Sequence, residues 1–348
     1  MFKKFLFSLM LTFSLILLAA CGGDSEADGP VDSSADSENG EATDATATEW
    51  PSNIRIGSAS QGGTYYIYAG GISTLLEEHL DITSNVEVTG GPVHNLQMVN
   101  SGDLDLGLAT LAPAYEAYTG TGDWTGGQTM PDLRIAFPMY TTPFVWWATE
   151  ESGITELSQI EGLQVGVGPA GGTPGTYNPI IHEALELNTQ NIQTGANDMA
   201  SQMLDGQLDV IGFSAGTPIA IITEIEAQRD INLFGLDGEY RDRILERYPY
   251  FYEYTLPADS YNSLEEDMET VAVFNFGIVH KDANEDFVYN LVKAYHENID
   301  QLIQTHSSAE EATVEAILNN EQVPLHPGAI RYYEEVGIEL PDSVYPEE

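Results

Sequence analysis

Three times along this chain a strand-like run ends in small residues and passes straight into a helical pattern. The stretches are "SASQGGTYY" from Ser58, "GPAGGTPGTYN" from Gly168 and "GFSAGTPIA" from Gly212. A helix that starts at such a turn presents backbone N–H groups without intrahelical partners, at the positive end of its dipole. Glycine lets a ligand approach the backbone closely, and Ser or Thr hydroxyls add donors. Three such turns, each at the C-terminal end of a strand, point to an α/β fold with a ligand crevice at the strand ends.

The rest of the body repeats that alternation. "NIRIGSA", "NVEVTGG" and "LDLGLATLA" read as strands, separated by the helical patterns "YIYAGGISTLLEEHL" and "VHNLQMVNSG". A long extended stretch, "LRIAFPMYTTPFVWWATE", leads to a second series. Its strands are "LQVGVGPAGG" and "LDVIGFSAG", and its helices are "NPIIHEALEL" and "MASQMLDGQ". A late extended run, "TVAVFNFGIVHKD", precedes "EDFVYNLVKAYHENIDQLIQ", the longest amphipathic pattern in the chain. Two βαβ series divided by an extended stretch predict two α/β lobes with parallel sheets. Trp146 and Trp147 alternate on a strand, which predicts at least one of them in the core.

Two of the glycine turns also match enzyme motifs. Gly166 to Gly171 satisfies G-x-G-x-x-G, the dinucleotide fingerprint, but Pro169 and Pro174 break a smooth run into a long helix, and Glu183 and Glu186 come too early for the ribose-binding acid. Gly212 to Gly216 satisfies G-x-S-x-G in a strand-turn-helix setting. A secreted serine hydrolase with Ser214 as nucleophile is therefore the alternative reading. Histidines follow at 280, 296, 306 and 326, and His326 in "VPLHPGA" is expected to fix a C-terminal turn. No spacing suggests a metal site, and no cofactor is expected.

The ends of the chain suggest where it works. Lys3 and Lys4 precede an apolar run from Phe5 that closes on Leu18-Ala19-Ala20-Cys21. This has the layout of a secretory signal peptide, residues 1–20, and resembles a bacterial lipobox that leaves Cys21 as the lipidated first residue. Cys21 is the only cysteine, so disulfides within the chain and thiolate metal clusters are excluded. Residues 21–50, rich in Asp, Glu, Ser, Gly and Ala and with no basic residue, read as a disordered tether to a body beginning near Pro51. The protein is expected outside the cytoplasm, in the periplasm or on the outer face of the membrane, held by its lipid.

In order along nearly all of Ile54–Gly337, the chain resembles the TAXI family of solute receptors for TRAP transporters. The matching pieces are "IGSASQGGTYYIYAGGISTLL", "VEVTGGPVHNLQMVNSGDLDLGLAT", "LSQIEGLQVGVGPAGGT", "LDGQLDVIGFSAGTPIAII", "LERYPYFYEYTLPADSY" and "VPLHPGAIRYYEEVG". The resemblance implies a two-lobed, type II periplasmic-binding-protein-like fold that closes over a small organic acid or amino acid and delivers it to a permease. Lobe I would comprise residues 51–140 and 278–348, and lobe II residues 141–277, with crossovers in "FPMYTTPFVWW" and "VFNFGIVHK". Ser60, Gly62, Gly63, Tyr65 and Tyr66, with Gly91 and Asn95, would line the cleft from lobe I. Gly171, Gly172, Thr173, Ser214, Ala215 and Gly216 would face them, and the receptor would act as a monomer. Two departures fall where solute is selected. Pro92-Val93-His94-Asn95 stands where the family has Ser-Val-Glu-Asn, and Gly171-Gly172-Thr173 followed by Pro174-Gly175 replaces a Gly-Ser-Gly-Thr core. Glutamate is therefore not carried over as the ligand.

The formal net charge of −44, from 55 acidic and 11 basic residues, leaves no basic face for nucleic acid. Such a chain repels itself at low ionic strength, and salt screens that repulsion over about 10 Å at 0.1 M. We attribute the excess to a salty exterior. Circular dichroism should show structure lost at very low ionic strength and restored in molar salt; an unchanged spectrum across the series would remove the attribution.

Overall fold

The computed structural model describes residues 50–346, so the expected signal peptide, Cys21 and nearly all of the tether lie outside the described residues. The body opens with β1 (Asn53–Gly57), α1 (Thr64–Leu80), β2 (Thr83–Glu87), α2 (Pro92–Ser101), β3 (Leu106–Thr110) and α3 (Leu111–Thr119). The long strand β4 (Leu133–Thr149) then leads to β5 (Gln164–Gly166), α4 (Thr173–Ala184), β6 (Gln190–Ile192), α5 (Ala196–Leu204) and β7 (Val210–Ser214). After these come α6 (Ala220–Glu226), β8 (Ile231–Phe234), α7 (Gly238–Arg247) and β9 (Tyr252–Leu256). The chain returns through β10 (Met268–His280) and ends with α8 (Glu285–Glu297), α9 (Ile299–Thr305) and α10 (Pro327–Glu335).

The strands form one continuous path in which two βαβ sheets share β4. β2, β1 and β3 are mutually parallel, and β10 joins β3 in antiparallel register. In the second sheet β6, β5 and β7 are parallel, and the C-terminal half of β4 pairs antiparallel with β7 and β8. β4 leads from one to the other, and β10 runs antiparallel beside it from Leu133↔His280 to Pro143↔Ala272, with register shifts between Phe274 and Phe276 and between Gly277 and Ile278. We refer to the sheets with their helices as lobe I and lobe II.

Each lobe has its own apolar packing. In lobe I, Ile54 and Ile56 of β1 and Leu106 and Leu108 of β3 meet Tyr68, Ile72 and Leu75 of α1 and the inner face of α8. Lobe II is covered on both faces, so its strands carry near-continuous apolar runs. Trp146 packs with Tyr177 and Ile181 on one face, and Trp147 with Met199 and Ile222 on the other. Both tryptophans are fully buried, one on each side of the pleat.

Three local expectations shift. The strand read through Ala112 stops at Thr110, an extended residue from which α3 starts with Pro113 in its first turn, where proline costs no helix bond. The long amphipathic pattern divides at Asn298, whose Nδ2 donates to the Ala294 carbonyl at 2.8 Å, and α1 at 17 residues is the longest helix instead. Pro174 does not disturb α4, because it too lies in a first turn. His326 caps α10, its Nδ1 accepting from the Gly328 N–H at 3.2 Å. No helix among the described residues is long and apolar enough to cross a membrane.

At the register shift sits the buried side chain of Asn275. Its Nδ2 donates to the Tyr140 carbonyl at 2.6 Å and to Thr142 Oγ1 at 2.7 Å, and its Oδ1 accepts from the Tyr65 hydroxyl. One amide thus ties both long strands to the first turn of α1. Asn275→Leu keeps the branched outline and removes every one of these bonds, and should lower unfolding free energy by ~2–4 kcal/mol. Urea titration reads this; a loss under ~1 kcal/mol would show that the amide is not a brace.

Candidate binding cleft

The first turns of α1 and α4 start from uncapped glycines, Gly63 and Gly172, neither of which precedes a side-chain N-cap bond. The two helices belong to different lobes, and their N-termini face one narrow cavity of ≈ 40 Å³. Of the residues read from sequence, Ser60, Gly63 and Tyr65 line it from lobe I, and Gly172, Thr173, Ser214 and Ala215 from lobe II. Ala59, Thr64, Tyr140, Thr142 and Phe213 complete the wall, with Pro92, Pro169 and Pro174.

Six of the expected residues stand elsewhere. Asn95 is fully buried beneath the lobe I turns, its Nδ2 donating to the carbonyls of Ser58 and Leu108 at 2.8 Å each and its Oδ1 accepting from Thr89 Oγ1 at 2.7 Å. It braces the turn and is spent on backbone. Tyr66 is half-buried on α1, off the wall. Gly62, Gly91, Gly171 and Gly216 serve contact between the lobes. A Cβ on Gly91, whose φ is +109°, would lie 2.8 Å from the Cα of Gly172. The Val93 N–H donates to the Gly171 carbonyl at 3.1 Å beside it. A Cβ on Gly62 would meet Asn197 Oδ1 at 2.3 Å. The Gly216 carbonyl accepts from Thr64 Oγ1 at 3.2 Å across the cleft. Backbone meets backbone, so the lobes are closed.

Two hydroxyls on the wall stand out chemically. Ser214 Oγ and the Tyr140 phenol are both buried, at 5% and 1% residue exposure, and neither has a hydrogen-bond partner among the described residues. A buried polar atom left in that state costs ~1–3 kcal/mol, and on a cleft wall it is a group open to a ligand. Burial pushes the Tyr140 phenol well above its usual pKa, which keeps its proton available for donation. Around them the wall carries hydroxyls, prolines and aromatic rings, and no charged side chain. The sequence had placed Tyr140 only in an extended run; alternation along β4 gave no reason to choose it over its neighbours.

Ser214 has no general base in reach. A serine nucleophile needs one within about 2.6–3.2 Å, and no histidine lines the cavity. The buried histidines have other partners: His182 Nε2 accepts from Trp146 Nε1 at 3.1 Å, and His296 Nε2 meets the Tyr333 hydroxyl at 3.0 Å. Burial lowers the pKa of each to about 4. No group of three His, Cys, Asp or Glu residues among those described could hold a metal.

The family model of the NMT1-like family matches residues 56–337. The chain belongs to the NMT1-like family. Among solved structures it is similar to the periplasmic binding protein BugD, at 14% identity over 84% of this chain and 99% of that one, TM-score 0.55. MatC from Rhodopseudomonas palustris, with bound malate, matches at 13% identity over 82% of this chain and all (100%) of MatC, TM-score 0.56. A further R. palustris protein, solved with adipate, matches at 15% identity over 72% and 84% of the two chains, TM-score 0.50. These likenesses establish the two-lobed, type II periplasmic-binding-protein-like fold. The family match does not extend to the TAXI group.

Behind the cleft, Glu116 of α3 is buried among three donors: Trp124 Nε1 at 2.7 Å and the Tyr177 hydroxyl at 2.9 Å on Oε2, and the Tyr250 hydroxyl at 3.2 Å on Oε1. Burial raises its pKa against the pull of those bonds. A carboxyl raised in the fold contributes stability that is complete below its unfolded pKa and is lost as pH rises through the folded value. Glu116→Gln is neutral at every pH and keeps the three contacts, with its NH2 donating to Tyr250. The variant should match the wild type near pH 4 and exceed it in melting temperature by pH 8. A variant less stable throughout would mean that the three donors hold an ionised carboxylate.

Proposed function

We propose that the chain is the receptor of a TRAP-type importer, of the TAXI group. Lobe I, residues 51–140 with 278–348, and lobe II, residues 141–277, close over a small organic acid or amino acid. The receptor then presents it to a membrane permease. Cleavage after residue 20 leaves Cys21 lipidated, and residues 21–50 tether a monomeric body outside the cytoplasm. One observation carries the binding role: two orphaned buried hydroxyls, Ser214 and Tyr140, at a cavity between opposed helix N-termini. Backbone N–H groups at helix starts suit a carboxylate, and in a chain this poor in Lys and Arg they are the available donors. The alternative, hydrolysis at Ser214, has no base in the geometry to support it.

Closure gives the receptor its signal. Only the closed form brings both helix starts to one solute, so binding and lobe contact are thermodynamically linked. In a thermal-shift screen in high salt, a solute at 100 times its Kd should stabilise the protein by about 2.7 kcal/mol, a shift of several degrees. The same solute should shift a Gly91→Ala protein far less, because the added Cβ blocks the approach of Gly172. No shift across organic acids, amino acids and neutral solutes, with fluorophosphonate labelling of Ser214, would replace the receptor with a hydrolase.

A further inference from the structure

We infer that the solute is a small monocarboxylate with an apolar body: one negative charge, no ammonium group and no second acid. The inference rests on the receptor reading and narrows it. The two uncapped helix N-termini provide a place for one anionic group, since α1 and α4 start at the same cavity from opposite lobes. The orphaned Ser214 Oγ and Tyr140 hydroxyl face that place and can donate to the same group. Four kinds of donor thus converge without a cation: two helix starts, a serine and a phenol.

Nothing on the wall suits a second charge. A second carboxylate would find no Lys, Arg or His, and an α-ammonium would find no Asp or Glu. A buried ion without a counter-charge is costly, and its desolvation is not repaid by hydroxyl contacts alone. The protein's own field sharpens the point. At a net charge of −44, a dianion meets twice the repulsion that a monoanion does. Of the other wall hydroxyls, those of Thr64, Thr142 and Thr173 already have partners within the protein, and Pro92, Pro169, Pro174 and Phe213 offer apolar contact.

Malate, adipate and glutamate each bring a second charged group for which the wall has no partner. Pro92 contributes through what it lacks, since it offers neither an N–H nor a hydroxyl to a distal polar group.

Isothermal titration calorimetry on the purified full-length chain in high salt tests this with isobutyrate, propionate and pyruvate. The comparison set is isobutyramide, succinate, malate, glutamate and valine. A monocarboxylate should bind at least about 10-fold more tightly than isobutyramide and about 100-fold more tightly than any dicarboxylate or amino acid. Ser214→Ala and Tyr140→Phe should each weaken that binding about 10-fold. Without solute each should melt at or above the wild-type temperature, because each removes an orphaned buried hydroxyl. A melting temperature lowered by either change would assign that hydroxyl a structural role and overturn its place in the site. Equal binding of the amide, or tighter binding of a dicarboxylate or amino acid, would overturn the charge assignment and leave the receptor standing. Binding of nothing, from this set or from the wider thermal-shift screen, would overturn both.

Discussion

The antiparallel pairing of β4 with β10 is the constraint on which the rest depends. β4 pairs in both sheets and β10 lies along it in the first, so the lobes share a backbone ladder and not merely a linker. The ladder changes register between Phe274 and Phe276, where Asn275 fills the irregularity with its own hydrogen bonds. Through Tyr65 and Thr142 the same amide reaches the wall of the cleft. The pivot and the binding surface are therefore mechanically one element. A displacement of either strand moves side chains that would touch the solute.

The glycine turns do two jobs that physics separates. At Gly63 and Gly172 they begin helices without a capping side chain, leaving first-turn N–H groups uncapped beside the cavity. At Gly91 and Gly171 they remove side chains so that the lobes can meet backbone to backbone. The first job needs open donors, the second needs absent Cβ atoms, and glycine supplies both. Selectivity then falls to the few side chains that remain, which in this protein are hydroxyls, rings and prolines. The absence of any cation from the wall is a chemical statement about the solute as much as about the protein.

Acidity is spread over the outside. Arg241 joins Asp242, Glu253 and Glu269, and Arg331 joins Glu285 and Asp286, all at the surface. Surface pairs of this kind are worth ~0–1 kcal/mol each, so they do not offset the excess of like charge. Two carboxyls among the described residues have a raised pKa: Glu116, buried among its three donors, and Glu311, which accepts from the Thr141 N–H at 2.8 Å. Both bind elements together by hydrogen bonding.

Periodicity alone was enough for the α/β alternation and for the three turns, because apolar spacing and glycine are local signals. β4 and β10 were legible as extended runs, and Trp146 and Trp147 as candidates for the core. The divisions at Thr110 and Asn298 were not, since a strand passing into a helix and a helix interrupted by one asparagine leave the apolar pattern intact. Seven of the thirteen expected cleft residues line the cavity; the others, Asn95 and Gly91 among them, do not. Which turn residue faces solute and which faces the other lobe depends on how two lobes meet across more than a hundred residues of chain. Tyr140 joins Ser214 only when β4 carries it there. The sequence by itself determined the alternation, the donors available and the lack of basic residues, all of them local or compositional. Only the tertiary structure decided which of those donors are left without a partner, because hydrogen bonding between distant segments uses up the rest.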